Sequence, residues 1–167
     1  MRLFWDLEGE DALAFSKGSY ASRGRVTRQW LDKVFAQVGD VCAEAVRAGA
    51  ECGSFGLQLM PNAFEIFGVD LVLTFPPDAA VGGDLPIPRV SLLEFNASPD
   101  FVQSGDALRP RLLELFKGVV HISVAPFFGL QTIDTEEEDK KPEDWEIGEE
   151  HFDWRLVGKG QVRGQWA

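Results

Sequence analysis

Leu92-Leu93-Glu94-Phe95-Asn96-Ala97-Ser98-Pro99 places a carboxylate and an amide two residues apart at the end of an apolar run. Side chains at i and i+2 of a strand share one face. Upstream, Phe64 to Phe75 is a second β-rich run, in which Asp70 is the only acid after Glu65. If the two runs pair, Asp70, Glu94 and Asn96 converge as two carboxylates and one amide oxygen. Such hard oxygen ligands suit magnesium that keeps some of its waters and meets a nucleotide phosphate. This is phosphate chemistry without a P-loop. Taken singly, each residue has a plainer reading. Asp70 at a strand end serves equally as a turn or capping group, and Asn96 before Ala-Ser-Pro is ordinary turn chemistry. Glu94 interrupts an apolar strand and is expected to be partly buried. A carboxylate buried there costs several kcal/mol unless it pairs with Arg or Lys or binds a cation.

The elements that must position these groups follow from hydrophobic period. Residues 1–24 show no clear period and read as loop with one short element. From Thr27, Leu31, Val34, Phe35, Val38, Val41, Cys42, Ala45 and Val46 recur at three-and-four spacing, which predicts an amphipathic helix ending near Gly49. Trp30 and Phe35 read as core packing on it. A strand is predicted after Asn62 and through Phe75, its almost unbroken run of β-branched and aromatic residues suiting burial on both faces. The Pro- and Gly-rich stretch from Pro76 to Pro88 is a long hairpin loop, and the second strand runs from Arg89 to Phe95. Leu108, Leu112, Leu115, Phe116, Val119, Val120 and Val124 predict a second long helix, stopped by Pro126. The segment from Gln131 to Gly148 is acidic and poor in aliphatic residues and reads as a disordered linker. Phe152, Trp154, Leu156, Val162 and Trp166 outline a short strand returning to the sheet edge, or else an apolar tail.

A chain of 167 residues with 45% hydrophobic content can bury a core, and its length favours one domain. The net charge of −11 is uneven, because eleven acids between Asp134 and Asp153 face only Lys140 and Lys141 there and supply −9 of it. The remainder is near neutral, which argues against nucleic acid and against a basic membrane surface. Lys17, Arg23, Arg25 and Arg28 form a small basic cluster, read as a solvated loop and helix start or as a contact for phosphate or an acidic partner. Cys42 and Cys52 lack CxxC spacing, and His121 and His151 are the only histidines. No zinc site or disulfide framework follows. No run of about 18 apolar residues marks a membrane span, so a soluble cytosolic or nuclear protein is the default, with a cytoplasmic location expected.

Two ordered motifs carry a family resemblance. Pro61-Asn62-Ala63-Phe64-Glu65-Ile66-Phe67-Gly68-Val69-Asp70, followed by Leu92-Leu93-Glu94-Phe95-Asn96-Ala97-Ser98-Pro99-Asp100-Phe101, resembles the C-terminal part of tubulin-tyrosine ligase family proteins, and most of all their P-body-associated branch. The likeness covers Leu57 to Leu130. It implies an α+β fold, the C-terminal lobe of an ATP-grasp domain with an antiparallel sheet and two long flanking helices. It also implies that Asp70, Glu94 and Asn96 hold the Mg2+ ions that bridge the phosphates of ATP. The implied activity joins an amine to a carboxylate through an acyl phosphate, adding an amino acid to the tubulin C-terminal tail or another protein. On this reading 1–130 is the partial ligase lobe, 131–150 an acidic linker and 151–167 a terminal edge strand. The N-terminal and central domains of a longer enzyme would be needed to complete the ATP site. The alternative is a catalytically silent module that binds a protein through the helix at Thr27 to Gly49 or the aromatic C-terminus.

Overall fold

The computed structural model describes residues 3–16, 19–52, 60, 63–75, 84–102, 105–130, 144–151 and 153–160. The chain divides into two compact units, Met1–Cys42 with Val69–Asn96 and Ala43–Gly68 with Ala97–Ala167, where the length predicts a single domain. Helices and small sheets mix in the α+β manner.

The first unit begins with a 3-10 turn at Phe4–Leu7 and a hairpin of β1 (Asp11–Ser16) and β2 (Ser19–Arg25). The sequence predicts loop with one short element here, and the hairpin corrects it. Its β1 strand carries alanine and serine where β-branched residues usually announce a strand, so the alternation is faint. α1 spans Arg28–Glu51, within two residues of its predicted end. The Thr27 hydroxyl accepts from the Trp30 amide at 3.2 Å and caps the first turn.

α1 buries Trp30, Leu31 and Val34 among Val26, Leu85 and Val90, with Trp5, Val38, Leu71 and Phe75 packed around them. Two polar side chains fasten the helix to the chain between Pro86 and Val90. Trp30 Nε1 donates to the Pro86 carbonyl at 2.9 Å. The Gln37 amide donates to Pro88 O at 3.1 Å and accepts from Val90 N at 3.4 Å, much as a neighbouring strand would.

β3 is Gly68–Thr74 and β4 is Arg89–Asn96, and they form a two-stranded sheet. Thr74 lies against Arg89 and Asp70 against Asn96, so the strands run antiparallel. β3 is shorter than predicted, starting at Gly68. It is also largely exposed, with only Gly68 and Leu71 partly covered. The expectation of burial on both faces fails because, among the described residues, β4 is its sole strand partner.

In the second unit, α2 (Arg109–Val119) follows a 3-10 turn at Asp106–Leu108 and runs through a π-helical turn, Val120–Val124, into α3 (Ala125–Phe128). Pro126 does not stop the helix as predicted. It lies in the first turn of α3, just past the π turn, where the widened backbone ladder tolerates its missing N–H. Gly129 ends the helix with φ 62°. The Gly129 and Leu130 amides donate to Pro126 and Ala125 carbonyls at 3.2 and 2.9 Å, a Schellman termination.

Where the acidic stretch ends, Trp145 is buried and stacks on His151 with ring centroids 3.8 Å apart. β5 (Glu150–His151) and β6 (Trp154–Arg155) pair with each other. Trp154 Nε1 donates to Leu115 O at 3.2 Å, and Arg111 pairs with Asp153 at 3.3 Å, so this hairpin is tied to α2. Residues 131–143 and 161–167, most of the predicted linker and the tail with Val162 and Trp166, lie outside the described residues. Among the described residues no helix is long and apolar enough to cross a membrane.

Candidate metal and nucleotide site

Asp70 is the third residue of β3, and Asn96 the last of β4. Antiparallel pairing brings these two strand ends together, and Asn96 Nδ2 donates to Asp70 Oδ2 at 2.9 Å. One of the two N–H groups of the amide is thereby engaged by Asp70, and the amide oxygen points to no partner of its own among the described residues. Glu94 shares its strand face with Asn96 by the two-residue period of β4.

The premise that Glu94 is partly buried is overturned, because Glu94 is exposed and its neighbour Leu93 is 65% exposed. A two-stranded sheet has too little around it to cover that end of β4. Burial therefore exerts no demand for a partner. The Arg or Lys pairing considered for Glu94 is also not seen, since among the described residues its carboxylate forms no ion pair or hydrogen bond. An exposed, unpaired carboxylate two residues from an Asn that is itself bonded to an Asp offers oxygen donors of the hard kind that magnesium takes together with water and phosphate. These residues fit the ion on donor chemistry. Among the described residues no group of three or more His, Cys, Asp or Glu gathers anywhere; the present set is two acids and an amide.

Other candidates carry less. An open depression of about 250 Å3 in the second unit is lined by Ala63, Phe64, Ser123 and Phe127. It has one hydroxyl and no charge, so it offers no ligand set. Burial raises the Cys42 thiol above the usual cysteine range, which makes it an inert group. Within the basic cluster, Arg28 bonds Asp32 at 3.2 Å and lies 4.3 Å from the Trp5 ring centroid, and Lys17 is outside the described residues. The contact of Trp154 with α2 and the stack of Trp145 on His151 were missed by sequence reasoning. The only signal was tryptophan at the edge of an acidic stretch, a large apolar residue where a solvated linker needs none.

The interaction surface suggested for α1 is not available through Trp30, Leu31 and Val34, which are core residues. No solved structure matches the chain significantly. Two curated proteins are similar to it. A probable tubulin–tyrosine ligase of Schizosaccharomyces pombe is 32% identical over 101 residues, covering 60% of this chain and 22% of the relative. A probable tubulin–tyrosine ligase of Saccharomyces cerevisiae is 31% identical over 102 residues, covering 61% of this chain and 12% of the relative. The chain thus spans less than a quarter of the length of either. The tubulin-tyrosine ligase family as a whole is matched by residues 17–132, a stretch that contains α1, β3, β4 and the helical run to Phe128. The chain belongs to the tubulin-tyrosine ligase family.

Proposed function

We propose that this chain supplies the metal-holding lobe of an ATP-grasp ligase, one that adds an amino acid to the C-terminal tail of tubulin or another protein. The observation that carries the reading is the Asn96–Asp70 contact at 2.9 Å, beside an exposed Glu94 with no partner among the described residues. In this reading Asp70 and Glu94 provide two negative charges, and Asn96 a neutral oxygen whose direction is set by the bond from its amide nitrogen. The three residues would hold Mg2+, which when bound neutralises charge on ATP phosphates during phosphoryl transfer. The strand pair contributes a fixed spacing between these oxygens, and fixed oxygens lower the cost of organising charge at the moment of reaction. Family membership supports the ligase class, and the names of the two relatives support a tubulin-type substrate. On this reading the remaining parts of the ATP site would come from N-terminal and central portions of a longer enzyme, and the chain's span of less than a quarter of its relatives' length supports it. A cytoplasmic, P-body-associated ligase is the cellular form of this proposal, with 1–130 as the partial lobe.

The test is turnover of the longest natural protein that contains this segment, with labelled amino acid and tubulin as substrates. Asp70→Ala or Glu94→Ala should lower ATP-dependent ligation by about a hundredfold or more while the circular dichroism spectrum is retained. Undiminished turnover in both variants refutes the ligand assignment.

A second reading, a catalytically silent interaction module, draws on a different observation. Leu113, Phe116, Val120 and Phe127 are each more than 40% exposed along the α2-to-α3 run. Full turnover by the intact protein rules this reading out.

A further inference from the structure

β2 carries an irregularity that falls on one arginine. Asp11 pairs with Arg25 and Leu13 with Ser22, so Arg23 and Gly24 together stand opposite the single residue Ala12. Gly24 takes a φ of 129°, a value that favours glycine. A bulge of this sort bends the strand and re-aims the side chain beside it. The Arg23 guanidinium is turned onto Phe75, with its central carbon 5.4 Å from the ring centroid. Its Nε and Nη1 are both shut off from solvent, and neither has a hydrogen-bond acceptor.

That combination is costly. A buried donor on a charged group gives up its water, and a ring face returns only part of the loss. Asp11, on the facing strand, accepts from the Ser22 hydroxyl at 3.4 Å, and Asp32 is bonded to Arg28. Among the described residues no carboxylate pairs with Arg23. An arginine guanidinium offers planar N–H groups that match the oxygens of a carboxylate or phosphate. A lysine at this place could be buried neutral, but an arginine cannot shed its charge.

We propose that Arg23, aimed by the β2 bulge and backed by Phe75, is an anion site whose ligand is an oxyanion group, a carboxylate or a phosphate, seated on its buried Nε and Nη1. The site depends on neither Asp70 nor Glu94, so it stands or falls apart from the ligase reading. The small rearrangement that opens the guanidinium edge to the oxyanion exchanges an unmet donor pair for two charge-assisted hydrogen bonds.

The experiment titrates the full 167-residue chain with inorganic phosphate, and separately with acetate, each against sodium chloride at matched ionic strength. The readouts are the Arg23 Nε–H resonance and the melting temperature. The wild type should show a saturable shift of that resonance and a melting temperature that climbs by several degrees once the anion is about a hundredfold above its dissociation constant. Arg23→Met, which keeps the stem and removes the charge, should lose the thermal response, and Arg25→Met should keep it. A response to phosphate alone assigns the source as a phosphate group, and a response to acetate alone assigns a carboxylate. Should Arg23→Met fail to fold, the wild-type Nε–H titration decides by itself. An unmoved Nε–H resonance with both anions, or a full thermal response in Arg23→Met, overturns the proposal.

Discussion

Leu31 and Phe116 show how far residue type alone can mislead about energetics. Both sit on apolar helical stripes and both read as core from their spacing. Leu31 is fully buried, but Phe116 is 42% exposed and touches Phe101 edge-on at a centroid distance of 5.2 Å. Truncating Leu31 to Ala leaves a cavity inside the cluster around Trp30 and Val34 and should cost about 2 to 5 kcal/mol. Phe116→Ala gives up part of one aromatic pair and should cost about 1 kcal/mol. Denaturant unfolding of the two variants checks the contrast, and equal losses would mean that the face of α2 is covered in solution. The candidate ligand residues carry the same lesson. The i, i+2 spacing of Glu94 and Asn96 is visible in the sequence because strand period is rigid. Their approach to Asp70 is visible only given pairing. The exposure of Glu94 was not legible, since covering β4 depends on how many strands stand beside it, and no residue of the strand encodes that count.

At the level of elements, α1 was legible almost to its ends because eight apolar residues keep helical spacing over sixteen positions and Thr27 precedes them. The β1–β2 hairpin was not, since its strands are built from small and polar residues around Lys17-Gly18. The α2-to-α3 run illustrates a stop signal overridden by backbone geometry. Proline at 126 ends a regular α-helix because it removes a ladder donor and crowds the preceding turn. The π turn at Val120–Val124 alters that ladder just upstream, and termination passes to Gly129. This assigns Gly129 a specific burden. At φ 62° and ψ 28° a Cβ is strained wherever it points, although nothing crowds the space around it. Gly129→Ala should therefore destabilise by about 1 kcal/mol, and Gly129→Asn by less, because asparagine tolerates the left-handed region. Urea midpoints of the two variants give the comparison. An alanine variant as stable as the parent would show that the Schellman termination is not formed.

For the whole molecule, the distribution of buried residues sets a stability order between the two units. The connected cluster of Val26, Trp30, Leu31, Val34, Leu85 and Val90 belongs entirely to the first unit. It is reinforced there by the Trp30 and Gln37 hydrogen bonds to the chain entering β4. The second unit buries Val119, Ala125 and Trp145 among the described residues, and much of its helical run presents apolar side chains to solvent. Local opening is governed by how many buried apolar contacts must be broken. At roughly 25 cal/mol per Å2 of apolar surface, a difference of even one large side chain's burial separates opening free energies by about 2 kcal/mol, or about thirtyfold in exchange rate. Native-state hydrogen exchange should accordingly find the slowest amides in α1 around Leu31 and Val34. The amides of α2 between Leu112 and Val119 should exchange at least about tenfold faster. The candidate ligands would then stand on the steadier unit, with Asp70 and Asn96 held by a strand pair whose β4 begins in that cluster. Slower exchange in α2 than in α1 would place the stable core in the second unit. In that case the exposed apolar residues of α2 and α3 would have to be covered in solution by something beyond the described chain.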